Sequence, residues 1–231
     1  MRAKFGAIVV AGSGKIGGHV ASKNRGGAYF RTKVTPSNPR STAQLNVRSL
    51  FTSLSQAWKG LTEEQRTAWN AAVGLYKRTN IFGDLKEPSG INLFQRLNNN
   101  LAQIGEAALS APPLPSEVPS LFIDGIAAHG DAGTLNISFA PSPAPESCAY
   151  VVRASKPMSP GISYSKNQMR VIGFFSGGQE SPYAAGSDYV AKYGSLGEAG
   201  QKIFVDVTPI NTATGQSGTP SSASTIVVVM G

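Results

Sequence analysis

The residues with the most chemical promise stand near the start of the chain. Gly12-Ser13-Gly14-Lys15-Ile16-Gly17 follows the apolar run Phe5–Ala11 and has the spacing G-x-G-x-x-G. In dinucleotide-binding proteins such glycines open a helix whose N-terminus meets a pyrophosphate, and an acid about 20 residues on takes the ribose hydroxyl. Here the following GHVASKNRGGAYF holds three more glycines and no helical stripe, and the first acid is Glu63. A phosphate loop would need Gly at Val9 and Ser or Thr at Ile16. The pattern therefore does not carry nucleotide binding.

The remaining reactive residue types are sparse. The two histidines, His19 and His129, fall in different predicted regions, so a two-histidine metal site has no support and both are expected as polar surface residues. The one cysteine, Cys148, excludes an intrachain disulfide and a cysteine-held metal cluster, and is expected to be a small buried hydrophobe. No nucleophile elbow, H-E-x-x-H or paired carboxylates occur. Asp124 and Asp131 are expected to flank and serve a turn. The expectation is a non-enzymatic protein with no cofactor, no metal and no catalytic residue.

Charge gives the stronger signal. Residues 1–100 hold 15 Lys/Arg and 4 Asp/Glu, a net +11, whereas residues 101–231 hold 6 and 9, a net −3; together they make the formal +8. Ten basic residues, from Arg2 to Lys59, precede the first acid. Such asymmetry implies a polyanionic neighbour for the first half, either the acidic face of a protein assembly or nucleic acid. Lys15, Lys23, Arg25, Tyr29, Arg31, Lys33, Arg40 and Arg48 are the candidate assembly or polyanion contacts, because charge and apolar or aromatic side chains alternate there. No apolar run approaches the ~18 residues of a membrane helix. MRAKFGAIVVAGSGK lacks a small-residue cleavage box and is not read as a signal peptide.

The elements that must position these residues are legible from periodicity. The predicted class is α+β: a β-arm and a small helical domain, followed by an all-β immunoglobulin-like sandwich. Residues 1–37 read as a basic, glycine-rich extended arm, with strands over 5–11, 16–22 and 28–34 and a tight turn at Lys23–Gly27. Within the third strand Tyr29, Arg31 and Lys33 share one side. Residues 38–110 read as helical. Ser41 or Thr42 caps a helix to about Lys59, whose stripe is Val47, Leu50, Phe51, Leu54 and Trp58. After Gly60, Thr62–Gln65 is a capping box for a second helix carrying Trp69, Val73 and Tyr76. A third helix carries Ile91, Phe94, Leu97, Leu101 and Ile104, with Asn98-Asn99-Asn100 on its polar face.

Residues 111–119, APPLPSEVP, read as a Pro-rich linker. Within 120–231, strands are expected over 121–126, 134–139, 149–154, 170–175, 202–209 and 225–229, a spacing typical of an immunoglobulin-like sandwich. TLNISFAPSP and KIFVDVTPINTATGQSGTPSSAS resemble a fibronectin type III domain, with Phe139 in place of the usual core tryptophan.

The stretch GSGKIGGHVASKNRGGAYFRTKVTPSNPRSTAQLNVRSLFTSLSQAWKGLTEEQRTAWNAA resembles a family of small structural proteins encoded by tailed bacteriophages and prophages. The resemblance implies a virion component made in the host bacterial cytoplasm: a capsid decoration, or a head–tail or tail part. Its partners would be major capsid or tail proteins and further copies of itself, without a membrane. The second reading is a nucleic-acid-binding protein acting through Lys15, Lys23, Arg25, Arg31 and Lys33. A helix-turn-helix is disfavoured, because the second helix opens on Glu63 and Glu64, where phosphates would be repelled.

Overall fold

The computed structural model describes residues 12–24, 27–79 and 85–229. The strand expected over 5–11 lies outside them. The chain is α+β, and it divides into two compact units, Met1–Asn46 and Val47–Gly231, with the boundary inside the first helix.

In the first unit, β1 (Gly14–Ile16), β2 (His19–Asn24) and β3 (Gly27–Thr32) form an antiparallel sheet in sequence order. Ile16 pairs with His19, so Gly17-Gly18 is a two-residue hairpin turn, and Gly17 has φ +56°. Two-residue hairpins need that left-handed backbone, which glycine adopts without a Cβ clash. A hairpin therefore stands where a dinucleotide fingerprint requires a helix. Ala21 is buried in this sheet, while every residue from Arg31 to Arg48 is exposed.

Helix α1 (Thr42–Gly60) starts at Ser41, whose Oγ accepts from the Gln44 N–H at 3.4 Å. Helix α2 (Glu63–Ala72) opens on the expected capping box: the Thr62 and Gln65 side chains each accept from the other's backbone N–H. Its last turn tightens into a 3-10 segment, Val73–Tyr76. The short pair β4 (Arg78–Thr79) and β5 (Leu85–Lys86) leads to α3 (Gly90–Gln103). Leu54, Trp69, Tyr76, Leu93, Phe94 and Leu97 form the helical core, with Phe94 edge-on to Trp69 at 5.3 Å. The Trp69 indole N–H donates to the Ser110 carbonyl and the Tyr76 hydroxyl to that of Pro113, which satisfies both polar tips.

The expected polar face of α3 is only partly polar in its surroundings. Asn98 is buried, and its amide exchanges hydrogen bonds with the backbone of Leu109, at 2.6 Å and 3.3 Å. Asn100 donates to the Gly215 carbonyl at 2.8 Å. Asn99 alone of the three is exposed. Helical periodicity shows which face a residue occupies, but it does not show a carbonyl arriving from a later segment.

Five strands follow the expected positions: β6 (Phe122–His129), β7 (Thr134–Ala140), β8 (Cys148–Ala154), β9 (Arg170–Ser176) and β11 (Lys202–Asn211). The last, expected over 225–229, starts earlier as β12 (Ser221–Ile226), where its residues pair with β11. Two elements were not anticipated, the short β10 (Tyr183–Ala184) and helix α4 (Gly186–Tyr193). The strands form antiparallel sheets of order β10-β7-β6 and β12-β11-β8-β9. Leu135, Ile137 and Phe139 from one sheet share a core with Tyr150, Val152, Ile203, Val205 and Val207 from the other. Phe139 stacks on Phe175 at 5.3 Å, so phenylalanines fill the centre. Asp131 lies in the β6–β7 turn as expected, but Asp124 is inside β6, beside the bulge between Ile123 and Gly125.

On the other side of β8 and β11, Ala149, Val151 and Ile210 are buried against Leu101 and Ile104 at the end of α3. Strand β8 is therefore covered on both faces, which explains its nearly unbroken apolar run. Gly215 lies at this junction with φ +70°, and a Cβ there would collide with the Leu97 carbonyl oxygen.

Candidate functional site

The register of the first sheet assembles part of the predicted contact set. Lys15 pairs with Val20, and Val20 with Arg31, so these three lie in one cross-strand row. Directly paired residues project to the same face, so Lys15 and Arg31 flank Val20 there. Tyr29, two residues before Arg31 and paired with Ser22, shares that face, and Lys33 follows β3, its N–H donating to the Gly18 carbonyl at 2.8 Å. The exposed apolar Ile16 lies with His19, Phe30, Arg31 and Thr32 around a hollow of about 550 Å³. Lys23 belongs to β2, and Arg25 lies outside the described residues.

The other two predicted contacts stand at the helix. Arg40 directly precedes the cap, with a positive φ of 50°. A non-glycine residue pays for that left-handed backbone. Arg48 is an exposed residue of α1 in the second unit. The α1 stripe is only half covered. Leu54 is buried and Leu50 and Trp58 pack on the helical core, yet Val47 remains 68% and Phe51 58% exposed. The predicted seam thus has a packed C-terminal half and a bare N-terminal half.

In the β region four tyrosines, Tyr164, Tyr183, Tyr189 and Tyr193, differ sharply in burial. Tyr189 is buried, with its hydroxyl donating to the Ser155 carbonyl at 2.7 Å; Tyr193 donates to the Ala154 carbonyl and Tyr183 to the Asp188 carboxylate. Burial raises the pKa of all three above the ordinary tyrosine value. Tyr164 alone of the four is exposed, at the edge of a groove of about 450 Å³ that Phe204, Asp206, Ser222 and Ser224 also line. Burial pushes the Asp206 carboxyl above its usual value, with Arg153, Thr208 and Lys166 acting in the opposite sense. That groove holds one carboxylate, where paired-carboxylate catalysis needs two.

Cys148 is buried, and burial raises its thiol pKa, opposed by a hydrogen bond with Ser147, so the nucleophilic thiolate is disfavoured. His19 is exposed as expected, whereas His129 is half-buried with its Nδ1 lacking a partner. Among the described residues no group of three His, Cys, Asp or Glu is placed to hold a metal ion, and no helix is long and apolar enough to cross a membrane. Sequence spacing missed one convergence of cations, Lys77, Arg78 and Arg96, which line a common cavity.

No family model and no curated protein matches the chain. Among solved structures, a β-1,2-glucanase from Parabacteroides distasonis is similar over 51% of this chain, at 17% identity and a TM-score of 0.32. The chain covers 15% of that protein's length. A likeness of that degree carries no argument about activity.

Proposed function

We propose that this chain is a non-enzymatic structural component of a tailed-phage virion, a capsid decoration or a head–tail or tail part. The observation that carries the reading is the exposed, acid-free run from Arg31 to Arg48, continued by the uncovered Val47 and Phe51 face of α1. A basic segment with apolar side chains beside it and almost no internal burial is suited to an acidic protein lattice, where contact supplies the missing core. The residues assigned to that contact are Lys15, Tyr29, Arg31, Lys33, Arg40 and Arg48, with Lys23 and Arg25 beside them in the sequence.

The β region is read as an immunoglobulin-like sandwich of fibronectin type III kind. In immunoglobulin lettering its two sheets run E-B-A and G-F-C-C′, and that strand order supports the assignment. Such a module decorates the particle or packs between subunits. Mass spectrometry of purified particles is expected to find the chain in many copies; particles without it remove the reading.

The second reading is nucleic-acid binding by the arm, favoured by the Lys15–Val20–Arg31 row. It predicts DNA binding that falls steeply with salt. A flat salt response, or no binding at low salt, disposes of it.

A further inference from the structure

A cavity of about 160 Å³ lies in the second unit, where the 3-10 turn, α3 and the β11–β12 loop meet. Lys77, Arg78, Arg96, Asn100, Gln216 and Ser217 supply its polar lining. The lining is rich in donors. Asn100 spends one amide hydrogen on the Gly215 carbonyl at 2.8 Å. The Gln216 Oε1 accepts from the Ser116 N–H at 2.7 Å, which leaves its amino group as the donor end. Guanidinium groups donate only.

Lys77 pairs with Glu87 at 2.8 Å, and among the described residues no acid lines the cavity. Among the described residues neither Arg78 nor Arg96 has an ion-pair partner. The Arg96 Nε is buried without an acceptor. Its guanidinium is held 5.8 Å from the centre of the Tyr76 ring, and Tyr76 is itself anchored by its hydroxyl on the Pro113 carbonyl. Burial, and then the charge of Arg78, lower the Arg96 pKa, while Tyr76 acts the other way. The Arg96 guanidinium, half-buried beside the positive charge of the exposed Arg78, is costly unless an anion joins the two.

We propose that the cavity between Arg78 and Arg96 binds a small phosphate dianion, inorganic phosphate or a phosphomonoester. Two positive charges without an ion-pair partner among the described residues match a dianion better than a single carboxylate. Paired guanidinium forks with amide and hydroxyl donors around them suit a tetrahedral oxyanion. The site does not depend on the virion reading, because it uses none of the arm residues.

The test is calorimetric titration of the full chain with inorganic phosphate in a phosphate-free, low-salt buffer, with acetate as the monoanion. Saturable one-site binding is expected, at least about tenfold tighter for phosphate than for acetate. Arg78→Gln is exposed and should fold; it is expected to weaken phosphate about tenfold or more, whereas Lys192→Gln on α4 leaves the affinity unchanged. In thermal unfolding, phosphate should raise the Tm of the parent chain and not that of Arg78→Gln. A merely structural role for Arg78 would change both curves equally. No saturable phosphate binding, equal affinity for acetate, an undiminished affinity in Arg78→Gln, or displacement of bound phosphate by unphosphorylated duplex DNA would each overturn the proposal.

Discussion

The two compact units use their apolar side chains in opposite ways. In Val47–Gly231, aromatic and aliphatic residues are gathered into three clusters, and the polar tips of Trp69, Tyr76 and Tyr189 all find carbonyls. In Met1–Asn46, the described side chains bury Ala21, while Ile16 and Val34 stay open to solvent. Hydrophobic burial is the main favourable term in folding. The described residues of the first unit therefore add little hydrophobic stability, and their exposed side chains are open to a contact. The second unit draws its stability from within, although Val47 and Phe51 leave one stretch of α1 uncovered.

Mutations can sharpen or break that contrast. The largest effect is expected at Trp69, where Trp69→Ala empties a fully buried site and orphans the Ser110 carbonyl. A loss of about 3–5 kcal/mol by chemical denaturation follows from cavity formation. Gly215→Ala comes next, at about 1–3 kcal/mol, because the new Cβ collides with the Leu97 carbonyl oxygen on a left-handed backbone. If that variant were as stable as the parent, α3 and the β11–β12 loop would not be in firm contact.

A smaller effect, of opposite sign, is expected at Asp206. Its carboxyl titrates above the ordinary value in the folded state, so the folded protein binds more protons across that window. Stability attached to this group is therefore full below the unfolded carboxylate pKa and falls as pH rises through the folded one. Asp206→Asn should raise the Tm at neutral pH, and the gain should vanish in acid; a gain that persists in acid would contradict the burial argument. The smallest effects belong to the bare surface. Phe51→Ser and Arg31→Ala should each change the stability of the isolated chain by less than about 0.5 kcal/mol. On the virion reading both should sharply reduce incorporation into particles, measured by mass spectrometry. A large stability loss in either would break the contrast between the two units.

Much of the fold was legible because it rests on local rules. The Thr62–Gln65 box needs four residues, and Leu135, Ile137 and Phe139 announce an inward face by alternation alone. Helix α4 was missed because eight residues, with a glycine and a serine at their start, are too few for a helical stripe to stand out. The covered state of Asn98 was hidden for a different reason. Its partner Leu109 lies beyond the end of the helix, and only the fold returns that backbone to it. The candidate contacts show the same limits. The row of Lys15 and Arg31 follows from strand pairing, whereas Arg78 and Arg96 meet through elements distant in sequence from the loop that completes their cavity. Val47 and Phe51 looked like core in the helical pattern, because periodicity identifies an apolar face without saying whether anything arrives to cover it.

The seating of Leu101 and Ile104 on Ala149, Val151 and Ile210 has a mechanical side. A pull applied at the bare end of α1 would be carried through the helical core into the four-stranded sheet. The proline-rich stretch would not absorb it as slack, since Ser110, Pro113 and Ser116 are all pinned by hydrogen bonds. Helices and sheet would then swing as one stiff lever.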